Sequence, residues 1–184
     1  KINNGASLLN TSSQYFNDPS AVDLRALGTG FSISAWVKPT SLPAAGGIAN
    51  FRNGDTTGQW LFYHDATGKV HFVNWSAPLV NVQTFTTAAQ LVIGTMAHVV
   101  VTHSTLGGTK IYINGAAVAT SSTSQGPGWG TVNQLEVGRS WNGSSTYYFH
   151  GLIDVLPNWN RDFSAADVTT LYNAGAGLPF SSFN

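Results

Sequence analysis

The chain has 184 residues, with eight basic and eight acidic side chains and a net charge of zero at pH 7. Because charged residues make up only 9% of the sequence, no strong field is available to attract nucleic acid or an anionic membrane. Cysteine is absent, which excludes disulfides and thiol catalysis without identifying a compartment.

No apolar run approaches the ~20 residues that a membrane-spanning helix needs, so we expect no membrane insertion. The chain begins at Lys1 without a signal-peptide pattern, and we expect a processed product or a piece of a longer chain. Its length suits one undivided all-β domain, and we assign residues 1–184 to a single domain.

Short strands are predicted along the first half of the chain, where apolar and polar residues alternate. The clearest is Phe31–Lys38, and Pro39 ends it because proline cannot donate to a sheet ladder. The other predicted strands are Ser7–Leu9, Ile48–Phe51, Trp60–His64, Val70–Trp75, Leu79–Phe85 and Leu91–Ile93.

A hairpin is predicted from Trp60–His64 and Val70–Trp75, closed around Asp65–Lys69. Alternation places Trp60, Phe62 and His64 on one face of the first strand. If Phe62 faces the core, Trp60 does too, and Tyr63 is then the exposed aromatic residue. We expect Trp60 and Trp75 to pack in the core or at its rim.

Two successive hairpins are predicted in Ala97–Ala119. His98–His103 is a valine-rich strand, and Lys110–Asn114 resumes the alternation after a Gly-Gly break. Asn114-Gly115 then supplies two residues that readily adopt positive φ, as a two-residue type I′ turn requires.

The last part of the chain predicts two strands and the only helix. The strands are Gln134–Gly138 and Tyr147–Asp154, with Arg139–Ser145 as the loop between them. The helix is Ser164–Asn173, which opens with Ser164 and Asp167 in the spacing of a capping box. The fold class is therefore an all-β, two-sheet antiparallel sandwich with one short C-terminal helix.

Several segments, taken together and in this order, resemble the laminin-G-like, concanavalin-A-like jelly-roll family in its pentraxin-related branch. They are Tyr15-Phe16, Phe31–Pro39, His98–Thr102, Lys110–Gly115, Leu135–Gly138, Gly151–Asp154, Trp159–Arg161, Phe163–Asp167 and Leu171–Gly175. The resemblance implies a jelly roll of two antiparallel sheets, frequent binding of carbohydrate or protein, and often a calcium ion at one rim. It does not imply one function, because a fold hosts many.

Hydrolysis is a function to test, because glucanases share this sandwich. A glycosidase needs two carboxyl groups on either side of one bond. Glu136 is the only glutamate in the chain, and no predicted strand carries two acids at alternate positions. We therefore expect that the protein is not an enzyme.

Metal binding has weak support in the residue pattern. The five histidines form no paired zinc motif, and we interpret His98 and His103 as strand-end residues with satisfied hydrogen bonds. Calcium needs only oxygen ligands. The family resemblance implies Asp154 as its ligand, with Asp18 or Asp23 as a partner, and the alternative is that Asp154 is a strand-end hydrogen-bond acceptor.

Sugar binding needs exposed aromatic rings and a few fixed polar groups. Such residues occur in the segments around Arg52–Trp60 and Arg139–Tyr147. The candidate ligand-binding residues are Arg52, Asn53, Asp55, Tyr63, Trp141, Asn142 and Tyr147.

Two functions therefore remain open. The first is a non-catalytic, lectin-like module of an exterior or secreted protein that binds glycan. The alternative is a structural or adhesive module that makes protein contacts in a cell-surface assembly or in a virion decoration, spike or tail. Both place the protein outside the cell, on a cell surface or on a virion surface.

Overall fold

The computed structural model describes residues 6–8, 12–20, 30–53, 57–77, 80–104, 106–121, 134–141, 146–154 and 156–178. Its helix, α1, is Ala165–Tyr172. Its strands are β1 Ala6–Leu8, β2 Phe16–Asp18, β3 Gly30–Pro39, β4 Ala45–Asn53, β5 Thr57–Asp65, β6 Lys69–Ala77, β7 Val80–Gln90, β8 Ala97–Ser104, β9 Gly108–Ile113, β10 Ala116–Ser121, β11 Gln134–Val137, β12 Arg139–Trp141, β13 Thr146–Tyr148, β14 Gly151–Asp154 and β15 Asn158–Trp159.

The strands form two antiparallel sheets and a separate hairpin. The first sheet has the order β1-β14-β3-β8-β9-β10, with β15 also paired to β3, and the second has the order β2-β11-β4-β5-β6-β7. β12 pairs only with β13 among the described strands. Late strands lie between early ones in both sheets, which gives crossovers as in a jelly roll, and the predicted fold class is confirmed.

The predicted hairpin turn at Asn114-Gly115 is present. Both residues have positive φ, at 52° and 82°, and Ile113 pairs directly with Ala116 across a two-residue loop. The Asn114 side chain adds a hydrogen bond, because its Oδ1 accepts from the backbone N–H of His98 at 2.9 Å. This bond ties the turn to the strand that begins the meander.

The main core lies between the two sheets. Its members are apolar side chains that alternate along the strands, including Phe31, Ile33, Phe51, Trp60, Phe62, Phe72, Val99, Val101 and Ile111. Trp60 is 2% exposed and Phe62 is fully buried, so the predicted orientation of this strand is confirmed. The side chain of Trp75 lies outside the described residues.

A second apolar cluster covers the outer face of the first sheet. It joins strand residues to α1 and the segment before it: Val100, Tyr112, Trp159, Phe163, Val168 and Leu171. The predicted capping box starts the helix, since Asp167 N–H donates to Ser164 Oγ at 3.2 Å and Ser164 N–H donates to Asp167 Oδ2 at 2.9 Å. As a result β3 and β8 are buried on both faces.

Leu91–Ile93 was predicted as a strand, and this is wrong. Leu91 N–H donates to the carbonyl of Gly68, and Thr95 N–H donates to the carbonyl of Val92. Gly94 follows with φ of 77°, so the chain turns here instead of pairing. Val92 and Ile93 are 60% and 55% exposed.

Two further predictions are wrong: the loop Arg139–Ser145, at its first three residues, and the single strand Tyr147–Asp154. The loop residues 142–145 lie outside the described part. Arg139–Trp141 is β12, and it pairs with β13 in the register Ser140 to Tyr147. Phe149 N–H then donates to the carbonyl of Gly138, and this bond closes the hairpin before β14 enters the first sheet. The predicted strand Tyr147–Asp154 is therefore two strands, β13 in the hairpin and β14 in the first sheet.

His98 is buried in an aromatic stack on the helix side of the first sheet. Its ring lies 4.8 Å from that of Trp36 and 6.0 Å from that of Tyr172, and its Nε2 is 2.7 Å from Ser34 Oγ. Its Nδ1 has no hydrogen-bond partner among the described atoms. Burial lowers the pKa of His98 to about 4.

We predict that stability falls as the pH falls from 6.5 to 4, because the unfolded chain takes up a proton that folded His98 refuses. The loss is about 3 kcal/mol of unfolding free energy. In His98→Phe, which keeps an aromatic ring in the stack but cannot titrate, urea unfolding at several pH values should show a smaller loss. The pKa of His64 is also lowered by burial, but that residue is common to both proteins, so a difference reports His98. An equal loss of unfolding free energy in wild type and His98→Phe between pH 6.5 and pH 4 would contradict the prediction.

Candidate functional site

The outer face of the second sheet carries a stacked pair of rings. Tyr63 on β5 lies directly opposite His71 on β6, with ring centroids 4.8 Å apart and planes inclined by 11°. Tyr63 is half-buried, as alternation with the buried Trp60 and Phe62 predicts. Its ring and hydroxyl therefore belong to the outer face of the sheet and not to the core.

Asp65 fixes one side of this pair. Its Oδ2 is 2.9 Å from Nε2 of His71, and its Oδ1 accepts from the N–H and hydroxyl of Thr67 and from Lys69 N–H. Burial raises the pKa of Asp65, but these hydrogen bonds outweigh it and hold the pKa well below its usual range. The carboxylate therefore stays ionised and orients both the β5–β6 turn and the imidazole.

The β12–β13 hairpin lies against the same face. Gly47 on β4 is paired with Tyr63, and a β-carbon at Gly47 would collide with the backbone of Arg139 and Ser140. The absence of a side chain at Gly47 is thus what lets β12 cross the sheet at this point. The hairpin places backbone directly beside the position of Tyr63.

Tyr147 reaches the site from this hairpin. It pairs with Ser140, the residue that lies over Gly47. Burial raises the pKa of Tyr63, and Tyr147 and Asp65 raise it further through their negative charge when ionised. The pairings of Tyr147 with Ser140 and of Gly47 with Tyr63, joined where Ser140 lies over Gly47, bring the two tyrosines near each other although they are far apart in the chain.

Two of the predicted ligand-binding residues, Tyr63 and Tyr147, are brought together. Arg52 and Asn53 lie at the far end of β4, with side chains outside the described part. At about 3.3 Å per residue, Asn53 is roughly 20 Å along the strand from Gly47. The structure does not place these two beside Tyr63.

Trp141 is the last residue of β12, next to Ser140, and its side chain also lies outside the described part. Asp55 and Asn142 are wholly outside it. The roles predicted for these residues remain predictions.

The sequence interpretation missed His71, Asp65 and Gly47. A signal for the first two existed, because a hairpin closed around Asp65–Lys69 places His71 opposite Tyr63 once the register is counted. No comparable signal exists for Gly47, since its role depends on a hairpin far along the chain.

The described residues do not assemble a calcium cage around Asp154. Asp154 lies opposite Trp36 in the first sheet, whereas Asp18 belongs to the second sheet and accepts from the N–H of Ser20. Nowhere in the described part do three histidine or acidic side chains gather as a metal site would require. Asp23 lies outside that part, so calcium remains a prediction.

If calcium binds the native state, it must raise the melting temperature, and a chelator must lower it again. Magnesium at the same concentration is the control for a nonspecific ionic effect. A melting temperature that changes with neither calcium nor chelator would contradict the prediction of a bound calcium ion.

A two-sheet jelly roll with an aromatic, hydrogen-bonded outer face is the class of protein that these observations define. A family model described as the concanavalin A-like lectin/glucanases superfamily, of laminin G type, matches residues 10–169. The chain belongs to this family, and the predicted resemblance is confirmed.

Solved structures show the same fold at low identity. The CBM40 of the Ruminococcus gnavus IT-sialidase, bound to α2,3-sialyllactose, has a TM-score of 0.67 and 16% identity, with 83% of this chain and 84% of that chain covered. A heptameric SAP-like pentraxin from Limulus polyphemus has a TM-score of 0.62 and 14% identity over 86% and 75% of the two chains. The binding domain of botulinum neurotoxin serotype G has a TM-score of 0.61 and 19% identity over 81% and 37%.

These identities establish a shared fold and no more. This chain spans less than half of several matched chains, including 42% of a putative carbohydrate-binding protein from Bacteroides ovatus. No curated protein sequence matches the chain. Within its described part, no helix combines the length and hydrophobicity that crossing a bilayer requires.

Replacing Asp65 by alanine should cost about 2–3 kcal/mol of unfolding free energy, because several hydrogen bonds at the turn are lost together. The pKa of the folded carboxylate is lowered, so its stabilisation exists above pH 3.8 and disappears as the pH falls further. Urea unfolding should therefore separate wild type from variant at pH 7 and bring them together in acid. Asp162→Ala, at an exposed aspartate, is the matched control and should change stability little.

Proposed function

We propose that this protein is a non-catalytic module that binds glycan at the outer face of the second sheet. The observation that carries the proposal is that the β12–β13 hairpin brings Tyr147 near Tyr63 of the second sheet, beside the His71–Asp65 pair. We call this group of four residues the tyrosine face. It is held in place by strand pairing and by hydrogen bonds before any ligand arrives.

The chemistry of the tyrosine face suits a sugar. Pyranose rings offer apolar C–H surfaces together with several hydroxyl groups, so they need aromatic surface beside mixed donors and acceptors. The two phenols supply both, since each hydroxyl donates and accepts. Asp65 and the β5–β6 turn hold the imidazole of His71 in one orientation, which reduces the ordering cost of binding.

Several features argue against hydrolysis at this face. A general acid needs a carboxyl group with a raised pKa, whereas the pKa of Asp65 is lowered. Glu136 is fully buried and contacts Arg139 Nη1 at 3.1 Å, so substrate does not reach it. Neither carboxylate is therefore placed for the two-carboxylate mechanism.

The similar structures support a binding role. One is a domain bound to α2,3-sialyllactose and another is a toxin binding domain. By extension we place this module in an exterior or secreted protein, outside the cell or on a cell or virion surface.

The second candidate is an adhesive or structural module, favoured by exposed apolar side chains. Phe16 is 55% exposed on β2, at the end of the strand order of the second sheet, and Leu106 is 94% exposed at the β8–β9 turn. A contiguous exposed apolar patch marks a protein contact, so this candidate requires Phe16 or Leu106 to belong to such a patch. This candidate predicts burial of Phe16 in the native assembly and no dependence on Tyr63.

Tyr63→Ala should weaken glycan binding by about 2 kcal/mol or more, roughly 30-fold, as expected for an aromatic residue at the centre of a site. Retention on an array of neutral and sialylated glycans measures this loss, and Tyr63→Phe separates the hydroxyl from the ring. Tyr172→Phe is the control, because it removes a phenol on the helix side of the first sheet. The melting temperature of each variant is recorded alongside.

If Tyr63→Ala is still retained on the array as well as wild type, the glycan site is not the tyrosine face. An array with no retained glycan, together with loss of a native assembly in Phe16→Ser, would replace the first candidate by the second.

A further inference from the structure

We propose that Glu136 is the positioning residue of the tyrosine face: by holding Arg139 it fixes the β12–β13 hairpin and so sets Tyr147 against Tyr63. Glu136 itself lies beneath the hairpin and does not touch a ligand. The consequence for affinity rests on the proposed function, whereas the consequence for the position of the hairpin does not.

Glu136 is fully buried on β11, opposite Asn50 of β4. Its Oε1 accepts from Arg139 Nη1 at 3.1 Å and from Gln134 Nε2 at 3.3 Å, and its Oε2 accepts from Asn50 Nδ2 at 3.1 Å. One carboxylate thus joins the sheet, through Asn50, to the first residue of the hairpin.

The buried charges make this link strong. A carboxylate removed from water is costly unless it is paired, and removing one partner of a buried pair leaves an uncompensated charge. Arg139 is itself mostly buried, with a side chain 15% exposed, and its guanidinium lies 4.8 Å from the ring centre of Tyr15. The pair therefore favours the docked hairpin over a hairpin lifted into solvent.

Three buried polar atoms in and beneath the hairpin contribute no hydrogen bond to this link. The buried Oγ of Ser140, Nε of Arg139 and Oδ1 of Asn50 have no hydrogen-bond partner among the described residues. Gly47 removes a steric obstacle but supplies no side chain to grip β12. The backbone bond from Gly138 N–H to the carbonyl of Ile48 holds the chain just before the hairpin, and the Glu136–Arg139 pair holds the first residue of the hairpin itself.

Three successive contacts connect the position of Arg139 to the tyrosine face. Arg139 is followed by Ser140, whose backbone lies over Gly47. Tyr147 pairs with Ser140 across the hairpin, and Gly47 pairs with Tyr63 across the sheet. If the hairpin moves away from the sheet at Arg139, Tyr147 therefore moves away from Tyr63.

The test follows the titration of Tyr63 by nuclear magnetic resonance of carbon-13-labelled tyrosine, assigned with Tyr63→Phe. In wild type, burial and the neighbouring Tyr147 raise the pKa of Tyr63 above its usual value. In Glu136→Gln this pKa should fall toward the usual value of a tyrosine, and retention on immobilised galactosides and mannosides should weaken about tenfold or more. A purely structural role would lower the melting temperature without moving this pKa.

Arg139→Lys keeps a positive charge beside Glu136 but loses the planar guanidinium over Tyr15, so it should keep part of the rise in the Tyr63 pKa, whereas Arg139→Gln should lose that rise. Gly47→Ala should lift the hairpin without altering any charge. The pKa of Tyr63 should therefore also decrease in this variant, which keeps the test informative if Glu136→Gln does not fold. Arg161→Gln, which breaks an exposed ion pair with Asp167 beside α1, is the control and should leave the pKa of Tyr63 unchanged.

A Tyr63 pKa that falls in Gly47→Ala but stays high in folded Glu136→Gln and Arg139→Gln would overturn the role of Glu136. If the pKa falls as expected while wild type retains no immobilised glycan, the positioning role stands and the proposed function fails.

Discussion

Both faces of the β3–β8 pair are buried, and this constraint organises the rest of the molecule. The second sheet covers one face, and α1 with its preceding segment covers the other. Because these two strands are enclosed, their side chains serve packing, including a histidine that burial keeps neutral. The proposed glycan site lies instead on the outer face of the second sheet, where Tyr63 is half-buried.

That outer face is assembled from two independent pieces. Strand pairing sets Tyr63 beside His71, and the β5–β6 turn holds Asp65 against the imidazole. The hairpin adds Tyr147 from a remote part of the chain, and its docking combines an absent side chain at Gly47 with a buried ion pair at Glu136. The first condition gives the hairpin room, and the second provides the attraction that keeps it there.

The family alone does not decide between binding and hydrolysis, because its superfamily includes lectins and glucanases. The argument against hydrolysis in the proposed role rests on the surroundings of two carboxyl groups. Asp65 is held ionised by its donors, and Glu136 is used inside the protein to neutralise Arg139. Both of these carboxylates of the described residues are thus engaged in positioning other residues, which fits the proposed binding role.

Local patterns in the sequence were enough for the elements that short-range physics controls. Alternation placed Phe62 inside and Tyr63 outside, Asn114-Gly115 made its turn, and Ser164 with Asp167 began the helix. The same patterns place β12 in a loop and join β13 to β14 as one strand, because strands of three residues are too short for a period to be seen. Only the tertiary structure decided that Gly47 would lie under Ser140 and that Glu136 would pair with Arg139 beneath the hairpin. Such contacts join segments that are distant in the chain, so no local periodicity encodes them, and the tyrosine face exists only once the sheets have packed.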